Sequence, residues 1–354
     1  MKILITSDWY YPVVNGVVRS LLNLKQYLED QGHEVKVLTL SNSTKSFKKD
    51  QVYYIGSLGA GKVYPGARIG PHLRNKEILE LIEWKPDVIH SQCEFSTFIM
   101  AKQIAKKANA PILHTYHTVY EDYTHYFSPS KRVGKKIIST LSRTIASKVD
   151  RLIVPSIKTK NILLSYGIDE DEIVVVPTGI KIDGLMDKIS LREKYGYGPD
   201  DKILLYLGRL AAEKNIEELI DFYQKIKMDD LKFLIVGGGP YLSKLKKYAQ
   251  NIDRKIDFIG QVDPSLVKDY YQLADIFISA SKSETQGLTY YEALSNGRIA
   301  LCKKDACLDG VIKNNFNGYQ YEEYGELEAC LYRVFAGEQE KAQMEKSARI
   351  FALD

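Results

Sequence analysis

The stretch Ser283 to Gly297, "SETQGLTYYEALSNG", sets two carboxylates, Glu284 and Glu292, on either side of a helix start. Gly287, Leu288 and Thr289 open an apolar-periodic segment that stops at Asn-Gly. The free N–H groups of such a start, together with the helix dipole, favour an anion. A carboxylate is a poor companion for phosphate but a good acceptor for hydroxyls, since an ionised acid can take two hydrogen bonds from a vicinal diol. The stretch "LYLGRLAAEKNI" adds cations: Gly208 permits a tight turn after a strand ending at Leu207, and Arg209 and Lys214 precede a helix. Two cations on one strand-end loop can meet a diphosphate, or they can simply face water. In "FLIVGGGPYL" glycines end another strand, as a tight turn or as a backbone wall beside a nucleotide. Pro240 follows them with no later glycine in the third slot, which departs from a dinucleotide fingerprint and counts against a dehydrogenase. The ligand these residues describe has phosphates in the middle and hydroxylated rings at both ends, the shape of a nucleotide sugar.

Such residues need strand ends to hold them. The first half offers "KILITS", "EVKVLTL", "VYYIG", "DVIHSQ", "PILHTY", "RLIVPS" and "IVVVPTG", separated by helix-length segments such as 16–31 and 96–108. After a polar, turn-rich stretch, "IKIDGLMDKISLREKYGYGPDD", the alternation restarts with "KILLYLG", "KFLIVGGG", "KIDFIGQ", "DIFISAS", "IALCKK" and "GYQYE". Runs this uniformly apolar belong to strands covered on both faces, so parallel sheets wrapped by helices are expected. The economical reading is two doubly wound, Rossmann-like α/β domains, residues 1–180 and 201–354, joined by a linker at 181–200. Ligands of such sheets bind beyond the carboxyl ends of the strands, so a cleft between facing domains is the expected site.

Composition agrees with that organisation. A chain of 354 residues is long for one core, and 45% hydrophobic with 27% charged residues fits a soluble globular protein. No apolar run approaches the ~20 residues of a membrane span, and Met1-Lys2 leads directly into "ILITS", so neither a signal peptide nor a spanning anchor is expected. Cys93, Cys302, Cys307 and Cys330 show no metal-type pairing and read as thiols in a reducing compartment. The net charge of +4 conceals an asymmetry: through Ile180 there are 24 basic and 17 acidic residues, and beyond it 25 and 28. The basic half is the one to ask about an acidic partner.

The run "GRLAAEKNI … VGGGPYL … FIGQV … ADIFISASKSETQGLTYYEAL" resembles retaining glycosyltransferases of family 4, which have the two-domain GT-B fold. "DWYYPVVNGVVRSL" looks like that family's opening loop and helix, and "PTGI" like its inter-domain turn. The stretch "ILHTYHTVYEDYTHYF" is similar to bacterial diacylglycerol glucosyltransferases, which build membrane glycolipids. The resemblance implies that Arg209 and Lys214 neutralise the diphosphate of a UDP-sugar, that Glu292 binds the ribose hydroxyls and that Glu284 holds the donor sugar. It implies backbone donors at Gly287, Leu288 and Thr289, with Gly16 from the first domain. His117 falls where the family has its active-site histidine, near the sugar's reacting end, and His114 reads as structural. Two departures stand out. Arg298-Ile299 replaces the Pro that usually starts the strand after "SNG", and the chain stops at "ARIFALD" where many relatives continue into a helix that crosses back. A short final helix or a cut tail is therefore expected.

No cofactor or metal is implied. Breaking a sugar–phosphate bond builds negative charge on the departing diphosphate, and two fixed cations with a helix N-terminus can stabilise it. The Asp-x-Asp triplet Asp169–Asp171 lies between a helix and a strand and reads as a solvated turn. Retention often uses a carboxylate nucleophile with a second carboxylate as acid. The family resemblance implies instead attack on the face the leaving group departs from, with that phosphate taking the acceptor's proton; Glu284 as nucleophile is the alternative.

Residues 128–149, "SPSKRVGKKIISTLSRTIASKV", concern the partner. Val133, Ile137, Leu141 and Ile145 recur at four-residue steps with Ile138 beside them, while Arg132, Lys135, Lys136 and Arg143 fall largely opposite. Such a helix can lie on an anionic bilayer, each exposed cation contributing about 1 kcal/mol, or its stripe can pack on the core while the cations face water. The tyrosines of "YHTVYEDYTHYF" suit either a sugar–lipid interface or a packed loop. No nucleic-acid-binding module accompanies the basic face. The expected protein is thus cytoplasmic and peripheral on the inner face of the cell membrane. It moves a hexose, glucose by resemblance, from a UDP-sugar to diacylglycerol or a glycosyl-diacylglycerol. The alternatives are a soluble or polysaccharide acceptor, a nucleotide-sugar epimerase on the same fold, and a non-catalytic sugar-nucleotide binder.

Overall fold

A computed structural model describes residues 1–13, 15–61, 67–70, 75–121 and 130–353. The chain divides into two compact units, Met1–Gly179 and Ile180–Asp354. In the first, strands run in the order Ile173–Val175, Arg151–Val154, Ile112–Thr115, Val88–Ser91, Lys2–Ser7, Glu34–Leu40, Val52–Ile55, Phe47–Lys49. Every neighbouring pair is parallel except the last, where Phe47–Lys49 runs antiparallel at the edge. That edge strand is exposed throughout, so it lacks the apolar run by which the others are recognised. Alternate residues of the central strand feed opposite cores: Ile3 and Ile5 pack with Leu21 and Val35, and Leu4 packs with Leu38, Leu81 and Ile104. Both faces are covered, which explains the unbroken hydrophobicity of its strands.

The second unit holds a six-stranded sheet in the order Ile256–Gly260, Leu231–Val236, Lys202–Leu207, Ile276–Ser279, Ile299–Lys303, Gly318–Tyr321, all parallel. Counted along this unit, the order is 3-2-1-4-5-6, that of a dinucleotide-type doubly wound sheet. Leu204 and Tyr206 face one core, and Ile203, Leu205 and Leu207 face the other. Residues 181–200, expected as a linker, contain the helix Lys188–Lys194, capped by the Asp187 carboxylate, and its Leu191 is buried in the second core. Beside it, buried Asp275 receives Lys188, Arg192 and Lys341 at 2.7, 2.8 and 2.5 Å, tying this helix and the helix Glu338–Leu353 to the sheet. Among the described residues no helix is long and apolar enough to cross a membrane.

Candidate functional site

The strand order of the second unit reverses between Lys202–Leu207 and Ile276–Ser279, and the loops leaving those two strands carry the residues singled out above. At such a reversal neighbouring loops depart in opposite directions and leave a crevice beyond the strand ends. Glycine makes the local weave possible. A Cβ on Gly237 would sit 1.9 Å from the Gly208 carbonyl oxygen, and one on Gly239 would sit 2.2 Å from that of Leu210. The two loops are laced by Gly208 N–H to Val236 O and Leu210 N–H to Gly238 O, at 3.0 and 2.9 Å. The glycine triplet therefore seats one loop against the other.

On that seat Lys214, in the 3-10 turn Ala212–Lys214, donates from Nζ to Glu284 Oε1 at 2.6 Å. Arg209 is half-buried and donates through Nη2 to Glu213 Oε1, while its carbonyl accepts the Tyr206 hydroxyl at 3.1 Å. Ser283 Oγ reaches the Glu213 carbonyl at 3.4 Å, a further tie between the loops. The helix Leu288–Ser295 begins at Gly287, whose φ of 76° is left-handed and whose absent Cβ would otherwise meet the Tyr290 ring at 2.3 Å. Tyr290 N–H bonds the Gly287 carbonyl at 3.0 Å, whereas the amides of Leu288 and Thr289 come before any helical carbonyl that could accept them. Within that helix Glu292 Oε2 accepts the hydroxyl of buried Tyr271 at 3.0 Å. Cations, carboxylates and helix start thus lie on loops leaving adjacent strands.

The first unit has its own polar focus at the carboxyl ends of its central strands. His117, just past Ile112–Thr115, bonds through Nε2 to Gln92 Oε1 at 2.5 Å. Burial, with His114 and His90 nearby, holds its imidazole down at about 3, so it is neutral. With the Gln92 oxygen accepting, Nε2 carries the proton and Nδ1 keeps a lone pair. Glu94 accepts the Tyr120 hydroxyl and lies 3.6 Å from Nε2 of fully buried His114. Asp8 accepts the Thr97 N–H at 2.8 Å, and burial first, then Glu94, raises its carboxyl to about 6. Gly16 opens the helix Gly16–Asp30 behind an Asn15 cap, with open space where a Cβ would stand.

Gln92, Glu94, Asp8, Glu213 and Tyr271 were not singled out from sequence. Only Glu213 left a trace, four residues after Arg209 and next to Lys214. Asp169 leads into the exposed turn Glu170–Glu172, where Glu170 pairs with Lys160 at 2.6 Å. The departure at Arg298 has a structural purpose: its buried guanidinium donates to Ala274 O at 2.7 Å and pairs with Glu345 of the final helix at 3.4 Å.

The basic helix, Lys131–Ala146, corrects the expected stripe. Gly134, Ile138, Ser142, Ile145 and Ala146 are buried, but Val133 is 53% and Ile137 48% exposed. These two stand outward on the side of exposed Arg132, Lys136 and Arg143, whereas Lys135 turns toward Glu121 at 3.1 Å and lies 5.9 Å from the Tyr166 ring. Tyr116 and Tyr120 pack edge-on at 6.0 Å, and the remaining tyrosines of that stretch fall outside the described residues.

Comparison with known proteins decides the class. Residues 14–183 match the model of Glycosyltransferase Family 4, and residues 187–351 match that of Glycosyl transferases group 1. An alpha-monoglucosyldiacylglycerol synthase of Streptococcus pneumoniae is 35% identical, over 92% of this chain and 76% of its own. The chain belongs to glycosyltransferase family 4. A second alpha-monoglucosyldiacylglycerol synthase, from Acholeplasma laidlawii, is 30% identical to this glycosyltransferase over 99% of the chain and 92% of its own. The GT-B fold appears in solved structures. HepE of Anabaena, in complex with UDP-glucose, superposes with a TM-score of 0.76 at 15% identity over 99% of this chain and 94% of its own. WaaG, a glycosyltransferase involved in lipopolysaccharide biosynthesis, gives 0.72 at 15% identity over 99% and 95%.

Proposed function

We propose that this glycosyltransferase moves glucose from UDP-glucose to diacylglycerol, or to a diacylglycerol already bearing a sugar, at an anionic membrane surface on the inner face of the cell membrane. The observation that carries the proposal is the meeting of Lys214 with Glu284 on loops flanking the sheet's point of reversal. The acceptor class is supported by the names of the two synthases, and the donor by the ligand of HepE.

In this reading the diphosphate draws Lys214 away from Glu284, which frees that carboxylate for hydroxyls of the donor sugar. Arg209 and the amides of Gly287, Leu288 and Thr289 meet the remaining phosphate oxygens. Glu292, held by Tyr271, accepts the ribose hydroxyls. Gly16 and His117 are assigned to the donor's phosphate and sugar, and a neutral imidazole suits hydrogen bonding to a hydroxyl. The bond from the anomeric carbon to the diphosphate breaks as a bond to the acceptor oxygen forms on the same face, and the acceptor's proton passes to the departing phosphate. Arg209, Lys214 and the helix start supply the positive charge that a metal gives elsewhere. Val133 and Ile137, flanked by Arg132, Lys136 and Arg143, form the membrane-facing edge.

The test is incubation of the purified enzyme with labelled UDP-glucose and anionic vesicles containing diacylglycerol, with and without EDTA. Label should enter the organic-extractable lipid equally in both arms. Label that stays water-soluble would contradict the lipid acceptor, and loss of transfer in EDTA would contradict the metal-free site.

A further inference from the structure

Glu213 has no part in the chemistry above, yet it occupies the cation that the diphosphate needs. Its side chain is 6% exposed; Oε1 receives Arg209, while Oε2 is buried without a hydrogen-bond partner among the described residues. A carboxylate kept only for packing would be costly in that state, because a buried acceptor left unpaired loses its hydration without replacement. Glu213 lies between Arg209 and Lys214 on one loop, and Lys214 is matched by Glu284. The two cations thus each face a carboxylate, which offsets most of what they offer an incoming diphosphate and leaves exposed Lys282 as the one charge in excess on these loops. Glu284 has a second use on the sugar hydroxyls in the proposed reading, whereas among the described residues the side-chain hydrogen bond of Glu213 is to Arg209.

We infer that Glu213 is a built-in counter-ion that limits how tightly the enzyme holds a nucleoside diphosphate, and so speeds release of the product. The inference rests on the donor site proposed above. Interactions felt equally by substrate and product nucleotide do not accelerate the chemical step, and slow product release commonly limits turnover. A negative charge at Arg209 weakens both complexes, the product complex more because the freed diphosphate carries the greater charge, and so hastens departure of UDP.

Glu213→Gln isolates the charge, because the amide oxygen still accepts from Arg209. UDP binding is measured by calorimetry for wild type, Glu213→Gln and Arg209→Ala, alongside UDP product inhibition. The expected result is that Arg209→Ala binds more weakly while Glu213→Gln binds roughly tenfold more tightly, the size of one screened charge contact, with stronger product inhibition and lower kcat. If wild type binds UDP and Arg209→Ala weakens it, but Glu213→Gln is unchanged or weaker, the inference fails and the donor site stands. If wild type does not bind UDP, both fail. Should Glu213→Gln not fold, Glu213→Asp draws the charge back from Arg209 and must bind UDP more tightly than wild type; equal or weaker binding overturns the inference.

Discussion

Lys214 meets Glu284 at 2.6 Å with both side chains largely covered, and in the function proposed above its ammonium turns from that carboxylate to the departing phosphate. Removing one preorganised donor of this kind costs roughly 100- to 1,000-fold in kcat. Lys214→Ala is therefore expected to lose that much transfer, measured as kcat with saturating UDP-glucose, while its circular dichroism stays that of wild type. In the first unit Asp8 makes a prediction of opposite character. Its carboxyl is raised to about 6, so the folded state binds a proton that the unfolded chain releases near 4. Its contribution to stability is full below pH 4 and is lost as pH rises through 6. Asp8→Asn keeps the acceptor for the Thr97 amide and removes the buried charge, and should gain about 1–3 kcal/mol in urea unfolding at pH 8 with no gain at pH 4.

The helix Lys131–Ala146 shows what periodicity can and cannot tell. A four-residue repeat shows that a stripe exists but not which line of residues faces the core, and a shift of one residue turns the stripe by about 100°. The buried line instead follows Gly134, Ile138, Ser142 and Ala146, and includes two small residues and a hydroxyl that no hydrophobic count selects. Tyr116 explains the hydroxyl, since its own bonds Ser142 Oγ at 3.1 Å. The exposed pair Val133 and Ile137 beside Arg132, Lys136 and Arg143 leads to a split expectation for membrane binding. Replacing those three cations by Ala should weaken binding to anionic vesicles roughly 100-fold, at about 1 kcal/mol each, whereas Lys135→Ala, already paired with Glu121, should change it far less. Vesicle co-sedimentation checks both; equal losses would place Lys135 on the same surface.

At the scale of the whole molecule, the strands were legible because a sheet buried on both faces writes an apolar run into the chain wherever it passes. The seven parallel strands of the first sheet and the six of the second could be read from those runs, with the residues at their carboxyl ends, but their order across each sheet could not, because only the fold sets it. The antiparallel edge Phe47–Lys49 was not legible, because its exposed residues carry no such pattern. Gln92 and Glu94 were invisible for another reason: their partners His117 and Tyr120 lie on a different strand-end loop, and only the fold brings them together. The same holds for Asp275, whose network binds the helices Lys188–Lys194 and Glu338–Leu353. Burial alone would raise its carboxyl, but Lys188, Lys341 and Arg192 drive it well below the usual range. Its contribution is therefore present above the unfolded value near 4 and lost as pH falls below it. Asp275→Asn should cost about 3–5 kcal/mol at pH 7 by stranding the cations, and thermal melts should show that penalty shrinking toward pH 2. The central claim is that a diphosphate is held where Lys214 now meets Glu284. A crystal structure of the enzyme with UDP-glucose tests it most directly: Lys214 Nζ and the Arg209 guanidinium are predicted to lie within hydrogen-bond distance of the phosphates, with Glu284 turned to the sugar. A diphosphate bound elsewhere, with Lys214 still on Glu284, would contradict the account.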